Sequence, residues 1–320
     1  MTDISITSTT IGMAALMTMK GVGRRAALRV ISQTLPSDQP RERLLELAQG
    51  ERLVTGDISD AWRKAEDDLR RSADAGIRAF SFHDEGYPER LHNISDPPAI
   101  LYVKGAVSGL HDYRCLAVVG TREPTSYGEK VARRSAASAV DAGYAVVSGL
   151  AYGCDTLGHE GCLDRDGIGV AVMAHGLDKV YPAANRGLAH RLVEAGGCLV
   201  SEYPLGMTPM RTAFAERDRI QSGLSDAVLV IETDVKGGTM HTVRFSREQK
   251  RILACIEHPA MWQHEEKTKG NQMLIADQWA TPIADGEALL RLLNSVKEVS
   301  KAVQPPPVRP EPKSQMSMGF

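Results

Sequence analysis

Aromatic side chains are scarce, 5% of the 320 residues, which limits the platforms on which a base or sugar could stack. Cysteine is scarcer: five residues, at 115, 154, 162, 198 and 255, odd in number and without a CxxC pair. That pattern argues against a disulfide framework and for a reducing, cytoplasmic setting. No run of about eighteen apolar residues occurs, which excludes a transmembrane helix. The apolar stretch near the N-terminus has no basic region before it and is interrupted by Lys20, which argues against a signal peptide. The net charge of −2 announces no polyanion partner, so such a partner must meet a local patch.

What is present is ordinary for a soluble globular chain: 42% hydrophobic and 24% charged residues. The length allows one large core, or one core with a small accessory domain. Residues 8–70 carry helical spacing through Ile11–Met19, Ala26–Leu35 and Leu44–Leu53. The KGVGRRAA turn at 20–27 reads either as a phosphate-binding helix start or as a tight interhelical turn. Residues 77–112 are irregular and proline-marked, with one short strand expected at Ala99–Val103.

From Arg114 to about Leu293 apolar runs alternate with helical stretches. The runs CLAVVG, YAVVSG, GVAVMA, GCLVSE, AVLVIE and RILACI read as strands covered on both faces. Helices are expected at 127–141, 155–164, 185–195, 212–223 and 239–249. The alternation predicts an α/β fold with an open, doubly wound, mostly parallel sheet, preceded by a small helical N-terminal domain. The proline-rich end, KAVQPPPVRPEPKSQMSMGF, has a disordered composition.

In such sheets ligands bind outside the carboxyl ends of the strands. The segments after the apolar runs carry glycine, serine, threonine and basic residues, the types that let backbone N–H groups approach an anion. The first, GTREPTSYG, matches neither GxGxxG nor a P-loop, so it implies neither NAD nor ATP. Candidate phosphate contacts there are Gly120, Thr121 and Arg122; for Arg122 the alternative is a surface salt bridge. The second loop offers Ser148, Gly149, Tyr152 and Gly153, and the fifth Lys236, Gly238 and Thr239. The stretch RTAFAERDRIQSG interleaves Arg211, Phe214, Arg217 and Arg219, a stacking face among backbone-binding charges. By position alone Phe214 reads rather as a core residue of a short helix.

Within SGLAYGCDTLGHEG, Asp155 and His159 can share a helix face, but with Cys162 they make no tetrahedral metal set. Asp155 is expected to cap the helix from its first turn, His159 to bond Asp155 or a neighbouring loop, and Cys154 and Cys162 to pack as small apolar groups. No metal, no cofactor and no catalytic residue is expected.

These segments together resemble the DprA/Smf family of DNA-processing proteins. The connector carries YPERL, DPP and LYVKG. The core then gives VVGTR, VSGLAYGCD with His159, GLDKVYPAANR, LVSEYPLG, FAERDRIQSGLS, KGGTMHT and KGNQMLI in the family's order. The resemblance implies a Rossmann-like core at 113–295, an ordered connector at 76–112, and a SAM-like or helix-hairpin-helix-like domain at 1–75. The remaining 296–320 would be a disordered proline-rich tail. It further implies single-stranded DNA binding in a basic pocket, a homodimer, no membrane association, and delivery of a RecA-type recombinase onto DNA without catalysis. Arg122, Phe214, Arg217, Arg219, Gly149 and Gly153 match the family's DNA-binding positions, and Arg211 lies near one.

The chain departs from the pattern at several points. Tyr152 stands where the family commonly has Arg or Lys, and Asp218 where it has asparagine between the arginines. CIEHP replaces AVPG, and the C-terminal winged-helix domain is not present in the sequence. These departures leave open a specialised paralogue, such as a phage-defence or toxin–antitoxin regulator. A nucleotide-binding enzyme like the phosphoribohydrolases also stays open, although KGGTMHTVRF lacks their glutamate and Glu248 comes about two turns too late.

Overall fold

The computed structural model describes residues 6–34, 42 and 58–303. Among the described residues nine strands form one sheet: β1 (Ile77–Ser81), β2 (Ile100–Gly105), β3 (Arg114–Val119), β4 (Tyr144–Ser148), β5 (Gly169–Val172), β6 (Cys198–Ser201), β7 (Ala227–Val230), β8 (Ile252–Ile256) and β9 (Thr281–Ile283). Their order is β1-β2-β6-β5-β4-β3-β7-β8-β9. All pairings from β6 through β9 are parallel, whereas β1–β2 and β2–β6 are antiparallel. The expected doubly wound α/β sheet is therefore present.

The strands are apolar because both faces are covered. Along β3, Cys115, Ala117 and Val119 enter one core with Ile220, Val243 and Leu274 of the helices Arg211–Gly223, Thr239–Glu248 and Lys269–Ala276. Leu116 and Val118 enter the opposite core with Ala132, Ala136 and Leu293 of the helices Ser126–Asp141 and Gly286–Val303. Side chains alternate across a strand, so one run of apolar residues feeds two layers. Each such Val or Leu contributes roughly 1.5–3 kcal/mol on burial.

The connector holds more structure than its sequence suggests. Instead of one strand it supplies the β1–β2 hairpin, which extends the sheet beside β6. Strand β1 is short, lies at the edge and buries only its two ends fully, so period-two patterning is faint.

The helices Ser8–Thr18, Arg24–Thr34 and Ile58–Asp74 do not pack apart from the core. Met13, Leu16, Val30, Trp62 and Leu69 share one apolar cluster with Ile77, Tyr102, Met173 and Leu199 of the sheet region. The first helix is capped by Thr7, whose hydroxyl accepts from the Thr10 N–H at 3.0 Å. In the KGVGRRAA turn, Arg24 pairs with Asp96 and with Glu202 (3.0 Å), so its charge is spent inside the protein. That favours the interhelical-turn reading. The expected helical run at Leu44–Leu53 lies outside the described residues. The last helix continues to Val303, beyond the expected boundary at 295, and the rest of the tail lies outside the described residues.

Candidate functional site

The chain leaves β3 toward β4 on one side and later returns to place β7 on the other. This makes the carboxyl ends of β3 and β7 the topological switch point, where the two diverging connections open a crevice. A cleft of about 430 Å³ lies there. Its walls are Val119 at the end of β3 and Gly120–Arg122 after it, Thr233, Asp234 and Gly237–Thr239 after β7, the start of the helix Thr239–Glu248, and one face of the helix Arg211–Gly223.

The loop after β3 is pinned from below. Glu232 is fully buried and takes the Thr125 N–H (2.8 Å) and hydroxyl (2.5 Å), while its carbonyl accepts from Thr121 N (2.8 Å). Thr125 in turn caps the helix Ser126–Asp141 by accepting from Gly128 N at 3.1 Å. Arg122 then projects outward, exposed, with no acidic partner among the described residues. Its guanidinium lies 5.6 Å from the Phe214 ring centroid. The surface-salt-bridge alternative for Arg122 is therefore not what the structure shows.

Phe214 is only partly buried and faces the cleft, so it is not the core residue its position suggested. Tyr181 approaches its ring at 5.7 Å between centroids. Tyr152 and Tyr181 are about half exposed, and with Arg122, Gly149 and Phe214 they bound a small recess beside the cleft. Sequence reading singled out Tyr152 but missed Tyr181; its place in the loop that follows β5 was the available clue.

The glycines of the second loop make room for close packing. Ser148 is buried, its hydroxyl donating to the Val118 carbonyl at 2.7 Å. A side chain at Gly149 would overlap the Arg217 guanidinium, and one at Gly153, at φ +73°, would come within 2.5 Å of the Arg122 and Thr121 carbonyls. These glycines let the two loops and an arginine pack at backbone distance. Gly120 serves likewise against Cys154, whose sulfur would lie 2.5 Å from a Cβ.

Arg217 forms part of the floor. It donates to the Val172 carbonyl and lies 3.1 Å from Asp218. Asp155 does not cap its own helix's first turn; its Oδ2 accepts from Gly149 N (3.0 Å) and Ala151 N (3.4 Å), bracing the loop before it. Burial pushes the Asp155 carboxyl up, opposed by Arg217 and those N–H groups. Burial pushes Asp218 further, up to about 7; Arg217 opposes it, Asp155 reinforces it, and a Thr242 bond opposes it.

Arg211 lines the cleft and is exposed; Gly238 and Thr239 line its β7 side. Lys236 is exposed on the same loop, its backbone N–H donating to Asp234 at 2.7 Å, but its side chain is not a wall of the cleft. Arg219 is placed elsewhere. With 3% of its side chain exposed, it donates to Glu202 (2.6 and 2.9 Å) and the Asp96 carbonyl (2.8 Å), away from the cleft. Successive arginines on one helix point about 200° apart at positions 217 and 219, so one faces the cleft and the other the N-terminal helices.

Cys154 and Cys162 are fully buried packers, and burial pushes the Cys162 thiol up to about 12. Burial also pushes His159 down to about 3, leaving a neutral ring that makes no bond to Asp155. Among the described residues no group of three or more His, Cys, Asp or Glu gathers to hold a metal ion, and no helix is long and apolar enough to cross a membrane. Glu248 is exposed beside Arg244 rather than in the cleft.

Comparison with known proteins agrees with this architecture. Protein Smf of Escherichia coli K12 is 39% identical over 175 residues, covering 55% of this chain and 46% of that protein. The putative DNA processing protein DprA of Mycobacterium tuberculosis is 35% identical over 209 residues, 61% and 53% of the two chains. The chain thus spans about half the length of these relatives. The crystal structure of DNA processing protein A from Streptococcus pneumoniae superposes with a TM-score of 0.63 at 26% identity, over 84% of this chain and 98% of that one. The Helicobacter pylori protein, described for its single-stranded DNA binding mode, shares the fold with a TM-score of 0.60 at 24% identity, over 69% and 96%. The family model for DNA recombination-mediator protein A matches residues 78–294, more than half of the chain. The protein therefore belongs to the DprA/Smf family.

Proposed function

We propose that the protein binds single-stranded DNA in the cleft between β3 and β7. The observation that carries this reading is Arg122 standing unpaired beside the partly exposed Phe214 at the topological switch point. Arg122 and Arg211 meet phosphates at the mouth; Gly120, Thr121, Gly238 and Thr239 offer N–H groups and hydroxyls. Phe214, Tyr152 and Tyr181 supply stacking faces, partly replacing the charge missing at position 152. Within this reading the protein is a homodimer that helps load a RecA-type recombinase onto DNA, and it is not an enzyme.

Three arginines of the cleft, Arg122, Arg211 and Arg217, stand against three carboxylates, Asp155, Asp218 and Asp234. Affinity therefore rests on few net phosphate contacts. With Arg122, Arg211 and Lys236 as the exposed cations, log K against log salt should fall with a slope of about −2. The test is a titration of fluorescent dT oligonucleotide across salt, beside the Arg122→Ala, Phe214→Ala double variant. Binding that is absent at low salt, or indifferent to salt and to the double variant, rejects the reading.

A second reading, nucleoside-monophosphate hydrolysis, is supported by one feature: a carboxyl lining the cleft, Asp218, which burial and the neighbouring Asp155 push up to about 7, into the range useful to a general acid or base. Release of free base from a nucleoside-monophosphate panel, lost in Thr239→Ala, would favour it over DNA binding.

A further inference from the structure

We propose that the carboxylate of Asp218 makes the cleft selective for guanine, by accepting hydrogen bonds from the Watson–Crick edge of a base stacked on Phe214. This rests on the single-stranded DNA reading above and names which base that site prefers.

Phe214, Arg217, Asp218 and Gln221 stand at i, i+3, i+4 and i+7 of the helix Arg211–Gly223, and all four line the cleft. Phe214 lies near the mouth, beside Arg122, and Asp218 one helical turn deeper, about 5.4 Å along the axis. A nucleotide whose phosphate meets Arg122 and whose base lies on Phe214 directs the edge opposite its sugar toward the floor. A purine reaches farther in that direction than a pyrimidine. The cleft, at about 430 Å³, falls in the range of sites that enclose a small ligand.

The floor favours donors. An ionised carboxylate is acceptor-only on both oxygens. Guanine alone among the DNA bases presents two adjacent donors on its Watson–Crick edge, N1–H and the exocyclic amino group. Adenine and cytosine offer one amino group beside a ring-nitrogen acceptor, and thymine one N–H between two carbonyls. Asp218 is held for this role by Arg217 Nε at 3.1 Å. Gln221, in the amide orientation that satisfies both its ends, donates to Asp218 Oδ1 at 3.2 Å and accepts from Gly149 N at 2.9 Å.

The groups facing Asp218 set its charge. They are Arg217 on its own helix, Asp155 at the start of the helix Cys154–Leu163, and the Thr242 hydroxyl on the helix Thr239–Glu248. Farther out the cleft presents His241, Asp234, Arg122 and Arg211. With Asp218 poised near neutral pH, a guanine edge favours the ionised form and expels a proton, whereas a phosphate disfavours it. Guanine preference therefore grows as pH rises, while affinity for a featureless strand falls.

The experiment is competition against a labelled dT oligonucleotide, in lithium buffer to suppress guanine quadruplexes. The competitors are unlabelled strands of equal length, either all dT or with dG, dA or dC interspersed. The dG strand should outcompete dT about tenfold at about pH 8, the discrimination one bidentate contact gives, and much less at about pH 6. The isosteric D218N, checked to be folded by its thermal melt, should bind the dT strand more tightly and lose the preference for dG. Equal competition by dG and dT at both pH values, or a preference that survives in D218N, overturns the inference while leaving DNA binding intact. Absence of binding to any strand at low salt instead rejects the DNA reading, and the guanine site with it.

Discussion

Replacing Arg219 by alanine separates two roles that the sequence alone cannot. By its match to the family's arginine it is expected to hold DNA; the structure buries it between the sheet and the N-terminal helices. Its guanidinium makes two bonds to Glu202, one to the Asp96 carbonyl and one to the Glu216 carbonyl at 2.9 Å. Glu202 is 7% exposed, so removal of Arg219 leaves a buried carboxylate with, among the described residues, only Arg24 to balance it. Breaking a buried pair from one side costs about 3–5 kcal/mol. The remaining Arg24 places this case near about 3 kcal/mol. With a urea slope of about 3 kcal/mol/M, the midpoint should fall by about 1 M. The measurement is a urea titration followed by far-UV circular dichroism, with dT binding measured on the folded variant. R219K, which keeps charge but loses the planar fork, should fall between variant and parent. Acid narrows the gap: burial raises Asp96, but Arg24, Arg219 and Arg25 outweigh it and hold it below the usual carboxylate range. That contribution is present above its unfolded pKa and is lost as pH falls through the folded one. An unchanged midpoint combined with lost DNA affinity would refute the structural placement of Arg219.

In stability rather than binding, D218N should have a pH signature of opposite sign. Burial pushes the Asp218 carboxyl from the ordinary aspartate value near 3.8 up to about 7 in the folded protein, so its stabilising protonation is full below about pH 4 and is lost as pH rises through 7. D218N should equal the parent near pH 4 and exceed it by roughly 2–4 kcal/mol above pH 8 in chemical denaturation; parity at high pH contradicts the burial argument. Phe214→Ala should weaken dT binding by about 1–3 kcal/mol with little change in salt slope, and Arg122→Ala should reduce the slope by about 0.7, as fluorescence titrations can separate. All five cysteines are buried, with Cys115, Cys162, Cys198 and Cys255 pushed up to about 12. A thiol reagent should therefore label the chain only after denaturation, and rapid native labelling would contradict the packing.

The pattern of residues alone specified the α/β class, the six core strands and the edge of the sheet that carries the candidate site. Strands buried on both faces need long apolar runs, and loops that pack at backbone distance need glycine; both demands are written residue by residue. It also brought Arg122, Arg211, Phe214 and Thr239 into one candidate set, and the fold gathers these four in one cleft. What it left open depends on which way a side chain points. Only tertiary structure sent Arg217 into the cleft and Arg219 away from it, though a single residue separates them. Only tertiary structure joined Tyr181 to Phe214 across a long interval of chain, and showed that the missing side chain at Gly149 makes room for Arg217. The same holds for the N-terminal helices, whose apolar stripes are local while the surface that covers them, on β1, β2 and β6, comes from remote segments. Periodicity and turn chemistry are local properties, but the partner of a buried charge or ring is chosen by the packing of the whole sheet.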